Sequence, residues 1–441
     1  MRCLPLTGLC SLILLLLILA SNQQKSPPCP TPTPPDGPCH STGDGVIAQL
    51  NRTICAEYFD VGRSRSTPQK EVHPEYDFVV IGGGTAGAIV ASRLSENPTV
   101  SVLLLERGGS GSDGTDFPWL GLILNDNKLI TRHLETTPQV NACGANGGKC
   151  TIYIADVLGG GSTHNYMGWQ RGAPEDYDGW STNGAIGWSY AELLPYFKRI
   201  ETVDPSLTNS EYRGSSGPTY VTNSYGSSYR FNDLTLRWLV AARQYGFPIG
   251  DHNAAYHDVF SPQQSNIDQR GRRASTDNAY LKPILPNRPN FHVLMFANVL
   301  KILFETTKNG RKRAIGVEYE RGDKIRTVLA KSEVILSAGA INTPKILMLS
   351  GIGPSSVLTK FNIPPIVELE GVGVGFQDHP YIDMLYDTDH PLHSRQSLLT
   401  KERLEYWKTI GDVAGLGSSM EFGSGFIPFS DVISYPTFLC H

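Results

Sequence analysis

Two short apolar runs, with a glycine turn and a helical pattern between them, occupy residues 76–106. Residues 76–81 are apolar and β-branched, which predicts a buried strand, and they stop at a glycine turn over residues 82–87. Residues 88–94 then follow a helical pattern, and residues 100–105 form a second apolar run. The order strand, turn, helix, strand predicts an α/β fold built on a doubly wound, Rossmann-like parallel sheet.

The glycine turn has the spacing of a phosphate-binding loop. Gly82 permits the tight turn, Gly84 allows the backbone to approach a pyrophosphate, and Gly87 allows helix and strand to pack closely. Thr85 and Ala86 belong to the same candidate site, because a helix N-terminus supplies N–H donors and the positive end of a dipole. The turn therefore predicts a dinucleotide site.

Glu106 follows the second apolar run, 24 positions after Gly82. A carboxylate at this position accepts hydrogen bonds from both ribose hydroxyls of an adenosine. The alternative is a surface glutamate that caps a βα loop. The segment from residue 76 to residue 106 does not by itself distinguish FAD from NAD as the bound dinucleotide.

The first 21 residues predict a signal peptide. The apolar run over residues 12–20 is shorter than the ~20 residues that a membrane span needs, and cleavage is expected near Ala20 or Ser21. An uncleaved anchor is the alternative. Residues 22–74 form a Pro-rich extension, with seven prolines in residues 26–39 that favour a solvated linker. No later stretch approaches spanning length, so no stable membrane span is expected.

Six cysteines remain after removal of the leader, and in an oxidising compartment an even number favours disulfides. Cys143 and Cys150 bracket a flexible, glycine-rich loop and are the best single pair, with two unpaired thiols as the alternative. Asn51 begins the one N-x-S/T sequon. These features predict a secreted, extracellular glycoprotein.

The length of the chain bounds the number of domains, and its net charge argues against a nucleic-acid-binding protein. The 441 residues suggest two or three domains. The net charge of −4, without any Lys/Arg-rich run, makes nucleic acid an unexpected partner.

Four ordered motifs resemble those of the glucose-methanol-choline (GMC) oxidoreductases. Residues 76–87 with 105–109 are similar to the family's FAD fingerprint, residues 156–180 resemble its first signature and residues 339–354 its second. Residues 371–380 resemble the loop that follows. The resemblance covers about residues 75–390, and it implies an FAD-binding GMC domain over 75–380 and the start of a partly antiparallel substrate domain over 381–441.

The resemblance implies further cofactor contacts, and no metal is expected. Residues 159–162 can offer successive N–H groups as a nest for phosphate or flavin, although a solvated glycine turn is the alternative. A helix over residues 344–349, begun by Asn342 or Thr343 and stopped at Gly351, needs no cofactor to explain it. Val299 is placed near the adenine, or is a plain core valine. The added cofactor-binding residues are Val157, Gly160, Ser162, His164, Asn165 and Val299.

His164 stands where the family usually has an aliphatic residue. Some members with histidine in a similar setting bond it covalently to the flavin, and an imidazole nitrogen is a competent nucleophile. We hypothesise a histidyl-FAD at His164, with a hydrogen-bonded but unattached histidine as the alternative.

The family's catalytic histidine pair is expected beyond His441, so no catalytic residue is assigned; His379 is interpreted as structural or close to the cofactor. The implied reaction is oxidation of a CH–OH group, with hydride passing to flavin N5 and oxygen or a quinone-like acceptor reoxidising the flavin. Candidate donors are glucose, choline, other alcohols and a steroid such as ecdysone. The alternatives are a non-catalytic flavoprotein or binding form and, less favoured, a nicotinamide-dependent dehydrogenase.

Overall fold

The structure, a computed structural model, describes residues 52, 54–55, 72–118, 124–125, 127–207, 211–223, 233–378, 409, 423–428 and 436–440. The predicted signal peptide, most of the Pro-rich extension, Asn51, His379 and His441 lie outside the described residues. Within the described part of the chain, no helix is long and apolar enough to cross a bilayer.

The chain divides into two compact units. The first comprises residues 1–112, 124–163 and 280–393, and the second comprises residues 113–123, 164–279 and 394–441. The boundaries predicted at residues 75, 380 and 381 stay a prediction.

The first unit is built on a six-stranded sheet. Its strands in chain order are β1 (Glu75–Ile81), β2 (Val102–Leu105), β3 (Phe291–Leu294), β4 (Asn298–Thr306), β5 (Lys312–Arg321) and β6 (Lys324–Leu336). Their order across the sheet is β4-β5-β6-β1-β2-β3. The block β6-β1-β2-β3 is parallel, and β4 and β5 extend it antiparallel. The predicted α/β fold with a mainly parallel sheet is confirmed.

Strand β2 lies between β1 and β3 and is apolar on both faces. All four of its side chains, from Val102 to Leu105, are at most 1% exposed. A parallel strand covered on both faces has a continuous apolar run, and each such side chain contributes about 1.5–3 kcal/mol on burial. The core beside the sheet includes Tyr76, Val79 and Val317.

Helix α1 (Thr85–Leu94) begins three residues earlier than the helical pattern indicates. The first unit also contains two further helices, Gly339–Leu349 and Ser355–Lys360, and two small strand pairs. Thr131–Glu135 pairs antiparallel with Thr151–Ala155, and Ile352–Gly353 pairs parallel with Val367–Glu368. The short helix Gly161–His164 begins in the first unit, and its last residue belongs to the second.

The helix predicted over residues 344–349 has the wrong start. It begins at Gly339, directly after β6, and it carries Pro344 in its second turn. Gly339 has φ +84°, which allows the chain to turn sharply from strand into helix before Asn342 is reached. The predicted end is right, because the helix finishes at Leu349 and Gly351 follows with φ +81°.

The predicted disulfide between Cys143 and Cys150 is confirmed, with 5.4 Å between the Cα atoms. It closes the loop that connects the strands Thr131–Glu135 and Thr151–Ala155. Cys55 is also disulfide-bonded.

The second unit contains helices and small sheets. Its helices are Asp113–Asp116, Pro174–Thr182, Tyr190–Ile200 and Asp233–Gln244. Its strands pair as Glu201–Val203 with Thr219–Asn223, the latter with Gln264–Ser265, and Phe260–Pro262 with Gly423–Pro428, which pairs with Pro436–Cys440.

A buried ion cluster lies inside this second unit. The Glu201 carboxylate is fully buried and accepts from the guanidinium groups of Arg171 at 2.7 Å and Arg213 at 2.9 Å. The Trp169 indole N–H donates to its second oxygen at 2.8 Å. Several donors thus compensate for the burial of this charge.

Candidate dinucleotide-binding site

The carboxyl ends of the parallel strands meet at one edge of the sheet. The N–H groups of the residues after β1 and β6, Gly82 and Ser337, donate to Leu105 O and Ile81 O, each at 2.8 Å. Glu106 N–H donates to Leu294 O at 2.9 Å. In open α/β sheets ligands bind at this edge.

The glycine turn at this edge is shaped by contacts that only glycine permits. Gly82 has φ +97°, and a Cβ there would lie 2.5 Å from Ser337 O. A Cβ on Gly87 would lie 1.9 Å from Gly82 O, so α1 packs on the end of β1 backbone to backbone. These two positions therefore serve the fold, as their spacing predicted.

A second glycine segment, residues 159–162, packs directly on the first turn. Gly159 N–H donates to Gly83 O at 2.8 Å, and the Thr85 hydroxyl donates to Gly159 O at 3.2 Å. A Cβ on Gly160, which has φ +55°, would lie 2.6 Å from the Gly84 Cα. The two segments, 82–87 and 159–162, form one structure that we call the glycine cradle.

The nest expected over residues 159–162 is not formed as predicted. The N–H groups of Gly159, Gly160 and Ser162 donate within the protein, to Gly83 O, Val157 O and Gly159 O. The Ser162 hydroxyl also donates to Gly159 O, at 2.7 Å. The backbone N–H groups of this tight turn are thus already hydrogen-bonded within the protein, so the segment contributes to the cradle mainly by packing.

Glu106 lies buried beside the glycine cradle. Its two carboxylate oxygens accept from the N–H groups of Gly83 and Gly108, each at 2.7 Å. Burial raises the pKa of Glu106 to about 7, against the lowering effect of the two N–H groups. Each oxygen keeps a second lone pair, so the carboxylate can still accept two hydroxyl donors.

The residues present fit a dinucleotide. A Cβ on Gly84 would meet nothing closer than 3.7 Å, so there is open space above this residue. Thr85 and Ala86 are exposed in the first turn of α1, where backbone N–H groups have no partner within the helix. Open backbone, a helix N-terminus and an acid at the end of β2 together form a site for a pyrophosphate and a ribose.

The other cofactor-binding residues predicted in the first unit lie outside the glycine cradle. Val157 is fully buried and bridges to Gly109 beside the cradle. Val299 is 9% exposed and belongs to the core cluster of the sheet. Ser337, two residues before the second signature, lies against the first glycine turn: an added Cβ would lie 2.5 Å from Ser337 O at Gly82 and 3.2 Å from Ser337 Cβ at Gly87.

His164 and Asn165 belong to the second unit. His164 is buried, and its pKa is lowered to about 4, first by burial and then by the charge of Arg273. Its imidazole is therefore neutral at physiological pH. Asn165 is exposed, and the buried Arg273 donates to it twice.

Two features of these surroundings were missed by the sequence analysis. Arg273 stands in the basic stretch 270–273, which has the composition of a solvated loop, yet its side chain is fully buried. In the first unit Arg107 and Arg132 both contact Asp156, and burial with the charges of these two arginines lowers the pKa of Lys345 to about 8. No local pattern identifies either feature, because each depends on residues far apart in the chain.

Comparison with known proteins identifies the family to which this chain is similar. The model of a family described as GMC oxidoreductase matches residues 76–381. An oxygen-dependent choline dehydrogenase from Staphylococcus xylosus is 36% identical over 83% of this chain and 64% of its own length. A glucose dehydrogenase [FAD, quinone] from Drosophila pseudoobscura pseudoobscura is 36% identical over 76% of this chain and 52% of its own.

A solved structure shares the fold. The FAD-dependent oxidoreductase from Chaetomium thermophilum superposes with a TM-score of 0.67 and 32% identity, over 80% of this chain and 62% of that one. The chain thus spans about half to two thirds of the length of the relatives it matches.

Proposed function

We infer the function from the family: the chain belongs to the GMC oxidoreductases, and we propose that it is an FAD-dependent oxidoreductase acting on the CH–OH group of a small donor. The observation that carries the proposal is the glycine cradle with Glu106 beside it. FAD is the dinucleotide used by this family, so a nicotinamide-dependent dehydrogenase does not agree with the family.

Different residues of the chain would bind different parts of FAD. The first turn of α1, with open space above Gly84, would hold the pyrophosphate, and Glu106 would accept from the adenosine ribose. Ser162 and Asn165 are proposed to contact the flavin portion. When bound, FAD supplies N5 as the hydride acceptor. No catalytic base is assigned among the described residues.

The donor and acceptor are proposed from the names of the relatives. These are an oxygen-dependent choline dehydrogenase and a glucose dehydrogenase [FAD, quinone]. We propose a small alcohol, sugar or sterol donor, with oxygen or a quinone-like acceptor. The same relatives do not favour choline over glucose, since both are 36% identical to this chain.

The test uses the full 441-residue chain reconstituted with FAD. Choline, glucose, other alcohols and a steroid are added one at a time without oxygen, and loss of the yellow flavin absorbance is followed, with dye reduction as a second readout. Bleaching by one donor supports the enzyme. Bound flavin that no donor bleaches supports the non-catalytic flavoprotein, and failure to bind FAD overturns the proposal.

We further propose that the protein is secreted. The apolar leader pattern over residues 12–20 supports this, and so do the disulfide Cys143–Cys150 and the disulfide-bonded Cys55, since disulfides persist in oxidising compartments. The N-terminal sequence and the intact mass of protein recovered from the medium, before and after deglycosylation, test it. Retention of the whole protein in the cytosol would contradict secretion.

A further inference from the structure

Two arginines and a lysine come together in the first unit. Arg132 binds the Asp156 carboxylate through two N–H groups, with Nε donating to Oδ2 at 2.7 Å and Nη2 donating to Oδ1 at 3.2 Å. The Nη2 of Arg107 contacts the same Oδ2 at 3.4 Å. The charges of both arginines act on the ammonium group of Lys345. We call Arg107, Arg132 and Lys345 the basic cluster.

The fold brings these three cations together from separate parts of the chain. Arg107 lies two residues after β2, Arg132 lies in the strand Thr131–Glu135, and Lys345 lies in the helix Gly339–Leu349. The arginine side chains are only 26% and 24% exposed, and Lys345 is partly buried. Like charges that are partly removed from water destabilise a fold unless an anion compensates for them.

One carboxylate is too little compensation for this cluster. Among the described residues, the Arg107 guanidinium has no hydrogen-bond or ion-pair partner besides Asp156, and the Lys345 ammonium has none at all. Both groups are donors only, so they need an acceptor. Burial and the charges of Arg132 and Arg107 lower the pKa of Lys345 to about 8. This is the direction expected of an ammonium that lacks a counter-ion.

We propose that the basic cluster is a binding site for a free oxyanion of the size and charge of inorganic phosphate. A guanidinium presents paired N–H donors that match the oxygens of a phosphate, and a lysine ammonium adds a point charge. Three positive charges beside one carboxylate favour a dianion over chloride. The remaining N–H groups of Arg107 and all those of Lys345 would donate to the anion.

The position of Arg107 separates this anion from the phosphates of a dinucleotide. Arg107 directly follows Glu106, the proposed acceptor of the ribose hydroxyls, whereas the pyrophosphate is proposed to lie above Gly84 at the start of α1. A dinucleotide such as FAD carries no phosphate on the ribose hydroxyls. The oxyanion would therefore bind in addition to FAD, and its site goes beyond the proposed function.

The experiment titrates inorganic phosphate into the FAD-free full chain by calorimetry, at an ionic strength held constant with sodium chloride. We expect one phosphate to bind per chain, and to bind about tenfold more weakly or worse in Lys345→Met. Lys301→Met is the matched control and should bind like the wild type, because Lys301 lies in β4 and pairs with Glu318 at 3.3 Å. No phosphate binding by the wild type, or wild-type affinity in Lys345→Met, would overturn the site.

Unfolding temperatures separate ligand binding from a structural role of Lys345. Methionine keeps the apolar stem of lysine and removes an unpaired, partly buried charge. In phosphate-free buffer Lys345→Met should therefore unfold at the wild-type temperature or higher. Added phosphate should raise the unfolding temperature of the wild type and leave that of the variant unchanged. A variant that unfolds at a lower temperature without phosphate, or does not fold, would show that the ammonium stabilises the fold, and would overturn the proposal.

Arg107→Gln tests a second member of the cluster. It leaves the two hydrogen bonds between Arg132 and Asp156 in place, so the fold should be kept. Phosphate binding should weaken here as well, because one guanidinium is lost. Wild-type affinity for phosphate in Arg107→Gln would contradict a site made of all three cations.

Phosphate titration of the FAD-saturated chain distinguishes the free anion from the phosphates of the cofactor. We expect phosphate to bind to the FAD-saturated wild type as it does to the FAD-free protein. Loss of this binding on saturation with FAD would assign the cluster to the cofactor and overturn a separate site. If the wild-type chain takes up no FAD, the proposed function fails, whereas the titrations of the FAD-free proteins still decide whether the basic cluster binds phosphate.

Discussion

Gly84→Ala should weaken FAD binding by one to two orders of magnitude without harming the fold. The added Cβ would lie 3.7 Å from the Gly160 Cα, an ordinary van der Waals contact, and the φ of −74° at Gly84 suits alanine. The loss of a favourable helix cap and the lower entropy of the unfolded chain act in opposite directions, so the free energy of unfolding should change by about 0.5 kcal/mol or less. The new methyl group occupies the space that a pyrophosphate would need.

The loss of affinity follows from the hydrogen bonds that the methyl group displaces. A hydrogen bond from a backbone N–H to a charged phosphate contributes about 1.5–3 kcal/mol. Losing one such bond weakens FAD binding on the order of 10- to 150-fold. Gly87→Ala differs in kind, because its Cβ would lie 1.9 Å from Gly82 O and the backbone must shift. Overpacking of this sort costs about 1–3 kcal/mol of stability.

The assay measures stability and affinity separately. Urea unfolding of the FAD-free proteins gives the free energy of unfolding, and flavin fluorescence titration gives the Kd for FAD. Gly179→Ala is the matched control, since its Cβ would meet nothing within 4 Å and the residue lies in a helix of the second unit. Wild-type affinity in Gly84→Ala would refute the placement of the pyrophosphate, and strong destabilisation by Gly84→Ala would refute the steric reasoning.

Three further predictions concern charged and titratable groups. The pKa of Glu106 in the FAD-free protein is about 7, and the ribose hydroxyls need the ionised carboxylate as their acceptor. The Kd for FAD should therefore rise by up to about tenfold for each pH unit below pH 7. The Glu106→Gln variant should show no such pH dependence. If His164 is bonded to flavin, acid precipitation should leave flavin in the wild-type pellet and release it from His164→Ala; complete release from the wild type would exclude the bond. Glu201→Ala should cost about 3–5 kcal/mol in urea unfolding because two buried guanidinium groups lose their carboxylate, while the exposed Glu135→Ala should cost under ~1 kcal/mol.

The glycine turn shows how much local sequence can predict. The positions of Gly82, Gly84 and Gly87 predicted a tight turn, an open backbone and a close strand–helix contact, and the structure has all three. These properties depend on the absence of a side chain at a fixed spacing, which the sequence states directly. The disulfide Cys143–Cys150 was predictable for a similar reason, because a short loop limits the choice of partner.

Contacts between distant segments were not predictable in the same way. The N–H groups of residues 159–162 were expected to face a ligand, yet Gly159 donates to Gly83, 76 positions earlier. Arg273 was indistinguishable from its neighbours, although it is fully buried and bonded to Asn165, 108 positions away. Burial and hydrogen-bond partners are set by the tertiary packing, and periodicity within a segment carries no information about them.

The strand order also has a consequence for the synthesis of the protein. β1 and β2 are the first strands of this sheet to leave the ribosome, but both are interior strands of the finished sheet, each with a neighbour on either side. β3, which pairs with the open edge of β2, begins 186 residues later (105 to 291), and β6, which pairs with the other edge of β1, comes later still. At about 5–20 residues per second this delay is roughly 10–40 s. Throughout that interval the partners of the outer edges of β1 and β2 have not been synthesised, so the apolar unit β1-α1-β2 has two unpaired strand edges. A chaperone that shields this unit during translation should therefore raise the yield of folded protein more than one supplied after release.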